Sequence, residues 1–184
     1  MVETSLNSIS IQKGPSGRAM SQPMEEGLVE AFFQHLSMER NANAQYFAIS
    51  IWFALKEFRG FSSFFNNESQ SEIQHAMNFA NYLIARGQNV KLNEISEPRQ
   101  HWDSIEDAIS FSFQMEADVT SSLHQLYSMA ERSCDTRTNV FLDPVIESQT
   151  KAEDEFAHLL GRVNFANNQP SALFIIDSDL LGAK

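Results

Sequence analysis

Glu72 and His75 form a Glu-x-x-His pair. On a helix, side chains three residues apart share a face, so a carboxylate and an imidazole at this spacing can reach one cation. Alternating steps of four and three residues, the repeat of a bundle seam, place more such groups around the pair. The first stripe reads Phe32, Leu36, Glu39, Asn43, Tyr46, Ser50, Phe53, and the second Phe61, Phe65, Glu68, Glu72, His75, Phe79, Tyr82. The third reads Ile105, Ile109, Ser112, Glu116, Val119, Leu123, Leu126, and the fourth Leu142, Ile146, Gln149, Glu153, Phe156, Leu160, Val163. Each stripe is apolar at its ends and acidic or polar in the middle.

Acid in the middle of a core is costly without a counter-charge, because buried carboxylates lose hydration and repel one another. No Lys or Arg stands on these stripes between Phe32 and Leu160. Protons or metal must supply the balance, and the Glu-x-x-His pair favours metal. Several carboxylates with one imidazole suit a hard to borderline transition metal, iron or manganese first, with zinc able to enter. A bridging Glu72 would join Glu39 and His75 on one metal to Glu116 on a second, as in two-metal centres with ions about 3.5 to 4 Å apart. Tyr46 lies on the same stripe as Glu39, either as a core tyrosine needing a hydrogen-bond partner or in a redox or ligand-bridging role. His35, His101, His124 and His158 fall outside this set and read as surface or packing residues.

Four long helices must carry these stripes. Pro23, Glu25 and Glu26 mark a start, and helical spacing of apolar residues continues to about Phe58, with Gly60 as the stop. A second helix spans about Phe61 to Arg86 and ends at Gly87, a third Ile105 to Arg132, and a fourth about Thr138 to Phe165, with Pro144 near its start. A short apolar helix, 171–181, follows. No stretch alternates with strand period, so the class is all-α. A helix of about 25 residues is roughly 37 Å long. The polar linker from Gly87 to about Ser104 can span some 55 Å if extended. Short turns therefore close two antiparallel hairpins, and the long linker crosses between them.

The 184 residues, 42% apolar, suit one domain, 24–184, preceded by a flexible N-terminal arm, 1–23. No run of about 18 apolar residues predicts a membrane span, and the arm lacks the apolar segment of a secretory signal. A net charge of −11 argues against nucleic acid as a partner and would concentrate cations. One cysteine, Cys134, excludes an intrachain disulfide and Cys-rich metal sites, which fits a reducing, cytoplasmic setting.

The motifs resemble those of non-haem ferritins, of a type seen in cyanobacteria, from about Met24 to Leu181. They are Met38-Glu39 followed by Tyr46, Glu72-Ile73-Gln74-His75, Trp102-Asp103-Ser104 leading to Gln114-Met115-Glu116, and Glu147-Ser148-Gln149. Leu173-Phe174-Ile175-Ile176 looks like the fifth helix that lines fourfold axes. The resemblance implies a ferritin-like four-helix bundle in a homo-oligomeric cage of 24 subunits that stores mineralised iron. It further implies a ferroxidase that oxidises paired Fe(II) with dioxygen. Glu39 and His75 would hold the first iron, Glu72 would bridge, and Glu116 would hold the second with Gln149 beside it. Tyr46 matches a tyrosine proposed to give an electron.

The departures narrow this expectation. Ser71, Ser148, Lys151 and Ala152 stand where many bacterial ferritins place glutamates for a third iron site. Helical spacing offers Glu68, with Glu147 or Glu153, as a different transit site, and the resemblance makes Asp143, at the start of the fourth helix, a candidate for an entry channel at a threefold axis. Haem is not expected, because Ile73 replaces the methionine of haem-binding bacterioferritin. A second Glu-x-x-His is missing, since Val119 follows Glu116 and Phe156 follows Glu153. A rubrerythrin-like peroxidase would carry a Cys-x-x-Cys centre. The competing expectations are a passive iron-binding shell subunit and a small di-iron carboxylate oxidase acting on an organic substrate.

Overall fold

A computed structural model describes residues 11–182. The helices are α1 (Glu26–Ala54), α2 (Arg59–Ala85), α3 (Ile105–Arg132), α4 (Thr136–Ala166) and α5 (Pro170–Gly182). Among the described residues the one extended pairing is a single bridge between Lys13 and Ala19, so the class is all-α as expected. None of these helices is long and apolar enough to cross a membrane.

Local chemistry sets most of the helix ends. The Glu25 carboxylate accepts hydrogen bonds from the amides of Gly27 (3.0 Å) and Leu28 (2.8 Å), satisfying two first-turn donors of α1. Ser104 accepts from the Asp107 amide at 3.0 Å and starts α3. Gly87, with φ of +76°, terminates α2 in the left-handed region that glycine enters freely. Pro144 stands well inside α4, because that helix begins before the expected Thr138.

Gly60 departs from its expected role as a stop. It lies in the first turn of α2, buried, where a Cβ would come within 1.7 Å of the Asp177 carbonyl oxygen. Close backbone packing of α5 on α2 demands the glycine there. The Asp177 carboxylate then accepts from the Phe61 amide at 2.9 Å, supplying a partner for the otherwise uncapped start of α2.

The hairpins pair α1 with α2 and α3 with α4, while α1 also packs on α3 and α5 on α2 and α4. Residues 86–104 make the long crossover. The core divides into two apolar clusters. One gathers Tyr46, Phe53, Phe61, Phe65, Ile109 and Phe156 with α5, and the other Leu28, Phe32, Phe79, Leu83, Leu123 and Leu142. Buried Glu39, Glu72, Glu116 and Gln149 belong to neither cluster. This is the acid-centred pattern of the stripes.

The described part of the arm begins at Ile11. From there it turns on itself, Met20 N donating to Gln12 O at 2.9 Å, and docks on the end of α2. The Ser16 amide and hydroxyl both donate to the Gly87 carbonyl, at 3.1 and 2.9 Å. Gly14 is packed so tightly that a Cβ would meet that same oxygen at 2.4 Å. Turn residues too short to show periodicity carry these contacts. Residues 1–10 of the expected arm lie outside the described residues.

Candidate metal centre

Glu39 of α1 and Glu72 and His75 of α2 each offer a ligand atom, and these atoms lie within 4.8 Å of one another. The two carboxylates are buried, while the His75 side chain is 41% exposed and forms the open side. His75 Nδ1 stands 3.2 Å from Glu72 Oε2 and 3.7 Å from Glu39 Oε2. Glu39 Oε2 has no hydrogen-bond partner. A buried carboxylate oxygen without a hydrogen bond is unfavourable until a proton or a cation joins it to its neighbours.

Protons balance the charge in this arrangement. Burial opposes ionisation of Glu39, but the contacts with His35 and His75 prevail and hold its carboxyl well below the usual range. Burial pushes Glu72 up to about 9, with the Glu39 charge adding to it and the hydrogen bond from His75 working against it. Hydrogen bonds to Glu39 and Glu72 raise the imidazole of His75 to about 10 despite its partial burial. The shifts thus favour the ionised form of Glu39, the protonated form of Glu72 and the cationic form of His75. Cations able to displace these protons find oxygen and nitrogen donors already convergent.

Glu116 of α3 stands on the other side. It accepts a short hydrogen bond from the Tyr46 hydroxyl, and Gln149 Nε2 of α4 donates to its Oε2 at 2.7 Å. Burial raises its pKa while both donors oppose the rise. Tyr46 is fully buried, stacked on Phe156 at 5.5 Å, and its hydroxyl is held well above the usual tyrosine range by burial and by Glu116. The hydrogen bond expected of a core tyrosine is present, and its partner belongs to the acidic centre.

The remaining expected residues lie further out. Glu68 is half-buried on the same face of α2, and burial, with the charges of Glu155 and Glu116, raises it to about 7. Glu147 is exposed and paired with Lys151 at 3.0 Å, Glu153 is half-buried, and Asp143 is exposed beside a hollow lined by His124 and Tyr127.

Two groups escape the stripe reading. Glu155 reaches Glu68 electrostatically although it lies off the expected seam. His35, expected to be peripheral, is completely buried, with Nε2 2.9 Å from Glu39 Oε1 and Nδ1 2.9 Å from the Ser122 hydroxyl. Its position one turn before Glu39 was the available signal. A cavity of about 610 Å3 between α2 and α4 is lined by Glu39, His75, Phe79, Tyr82, Ser148 and Gln149, and gives access to the centre.

The family model described as the ferritin-like domain matches residues 29–166. The chain belongs to the ferritin family. Among curated relatives, it is 25% identical over 157 residues to a probable bacterial non-heme ferritin-like protein of Haemophilus influenzae, covering 85% of this chain and 95% of that protein. It is 31% identical over 135 residues to the ferritin-1 heavy chain of Schistosoma mansoni, covering 69% and 78%. An open pore ferritin from Archaeoglobus fulgidus superposes with a TM-score of 0.83 at 27% identity, covering 85% of this chain and 96% of that one.

Proposed function

We propose that this chain is an iron-storage ferritin subunit and a ferroxidase, which oxidises pairs of Fe(II) ions with dioxygen and passes ferric iron into a cage of 24 copies in the cytoplasm. One observation carries the reading: Glu39, Glu72 and His75 converge within 4.8 Å in the middle of a bundle that is otherwise apolar. In this reading Glu39 and His75 hold one Fe(II), Glu72 bridges, and Glu116 holds the second, with Gln149 beside it. Iron is substrate here, arriving and leaving.

The chain's own residues have separable tasks. Glu72 and His75 give up their protons as Fe(II) binds, so the site gains negative charge when the cation needs it. Tyr46 and Gln149 hold Glu116 from two sides and fix the direction of its carboxylate. Tyr46 lies close enough to Glu116 to serve as an electron donor to the same centre. Glu68, with Glu147 or Glu153, would form a transit path, and Asp143 would help admit iron at a threefold axis. No haem is part of this reading.

The decisive experiment is stopped-flow oxidation of Fe(II) by dioxygen, titrated for iron per chain, on material sized by light scattering. A particle of roughly 24 chains with a fast phase saturating near two irons per chain, abolished by Glu39→Ala, is the expected result. A large particle without a fast phase would make the chain a passive iron-binding shell. A small oligomer would favour an oxidase of organic substrates.

A further inference from the structure

His35 is a buried polar side chain with an unusual place in this bundle. It is fully enclosed, its ring packs on Phe79 of α2 at 4.3 Å between centroids, and its Nδ1 meets Ser122 of α3 at 2.9 Å. Three helices therefore clamp one imidazole. Its remaining nitrogen, Nε2, faces Glu39 Oε1 at 2.9 Å, with the N–H direction out of line for a full hydrogen bond. The other oxygen, Oε2, is the unpartnered atom that faces His75 and Glu72.

We infer that His35 is a positioning residue that occupies Oε1 of Glu39 and leaves Oε2 as a single, aimed donor to the metal. The inference rests on the metal-centre reading above and assigns within it a residue that does not itself touch the metal. A carboxylate can bind one cation through both oxygens or through one, and the choice sets how many coordination positions remain for oxygen and the partner ion. In a neutral imidazole one nitrogen carries the proton and the other accepts. The Ser122 hydroxyl can donate to Nδ1, which leaves the proton on Nε2, the nitrogen beside the carboxylate. The opposite tautomer would set a lone pair against Oε1. Ser122 thus sets the tautomer, and the ring, wedged against Phe79, chooses which oxygen of Glu39 is free. A small rotation of the carboxylate as it engages a cation brings Oε1 into line with the N–H, since such contacts tighten when the site is filled.

Anaerobic titration with Co(II), read by calorimetry and by visible absorption, tests this on the assembled protein. His35→Phe keeps an aromatic ring against Phe79 and removes the donor, whereas His35→Gln places an amide N–H near the position of Nε2. The expected result is a first-site affinity about 10- to 100-fold weaker in H35F, with a changed cobalt spectrum, and recovery of both in H35Q. Wild-type affinity and spectrum in H35F would overturn the inference. So would an H35Q as weak as H35F, because that would make the histidine a packing element. If H35F fails to fold, Ser122→Ala carries the test: it removes the hydroxyl that sets the tautomer, and an unchanged first site would equally refute the role. Glu39→Ala separates this from failure of the larger reading, since a Glu39→Ala protein that binds the first Co(II) normally would show that the cluster is not the metal centre, and the role of His35 would fall with it.

Discussion

The Tyr46 hydroxyl donates to the Glu116 carboxylate from inside a ring of Phe65 and Phe156, so the best-buried tyrosine of the chain is hydrogen-bonded to an acid of the centre. A phenol donating to a carboxylate stabilises its ionised form. Burial acts oppositely on Glu116, and the tyrosine with Gln149 limits how far the carboxyl is driven toward neutrality.

Tyr46→Phe should therefore raise the pKa of Glu116 further. The lost bond should cost about 1 kcal/mol at a pH where Glu116 is ionised and less where it is protonated. Carbonyl-stretch infrared spectra across pH would follow Glu116, and denaturant titrations the stability. A protonated-carboxyl signal that fades at the same pH in Y46F and wild type would refute the assignment.

Metal binding should release protons. Glu72, raised to about 9, and His75, raised to about 10, both hold a proton at pH 7, and a cation on their ligand atoms displaces both. Affinity should then climb as pH rises from neutral toward 9. Calorimetry of Zn(II) binding in buffers of different ionisation enthalpy counts the protons. Close to two per first metal are expected, and heats independent of buffer would speak against the proton-balanced triad.

The stripes were legible because burying a surface repeats every three to four residues. The end-apolar, mid-acid pattern and the residues from Glu39 to Gln149 could be read directly from that repeat. What stayed hidden depends on contacts between distant segments. His35 sits beside Leu36, one position off the chosen stripe; its place one turn before Glu39 was visible, but its enclosure against Ser122 and Phe79 was not. Gly60 looked like a helix stop because local propensity is all that a sequence shows of a glycine, whereas its reason is the Asp177 backbone more than a hundred residues later. The docking of Gly14 on Gly87 was invisible for the same reason.

Gly60 supplies a prediction that opposes helix propensity. Alanine in a helix interior is ordinarily better than glycine by about 1 kcal/mol. Here the added methyl would overlap the Asp177 carbonyl, and overpacking of this kind costs about 1 to 3 kcal/mol. Gly60→Ala should lower the Tm and loosen α5, breaking the bond from the Phe61 amide to Asp177. Hydrogen exchange of α5 amides would report it, and an unchanged or raised Tm with protected α5 would show that the contact relaxes freely.

Glu68 gives a pH dependence whose sign can be worked out. Its carboxyl is raised from 4.5 to about 7, first by burial and then by Glu155 and Glu116. Below about pH 4.5 the group is protonated in both folded and unfolded chains and takes nothing from stability. As pH rises from there, the unfolded chain ionises first, and the folded state loses stability until about pH 7, after which the loss is constant. Glutamine is neutral throughout. The metal-free Glu68→Gln protein should thus match wild type near pH 4 and be more stable at pH 8 by about 2 kcal/mol, after allowance for screening of a half-buried group. Denaturant midpoints measured at the two pH values in the presence of a chelator decide the matter. A difference that does not change with pH would mean that the cluster of Glu68, Glu155 and Glu116 does not hold its proton.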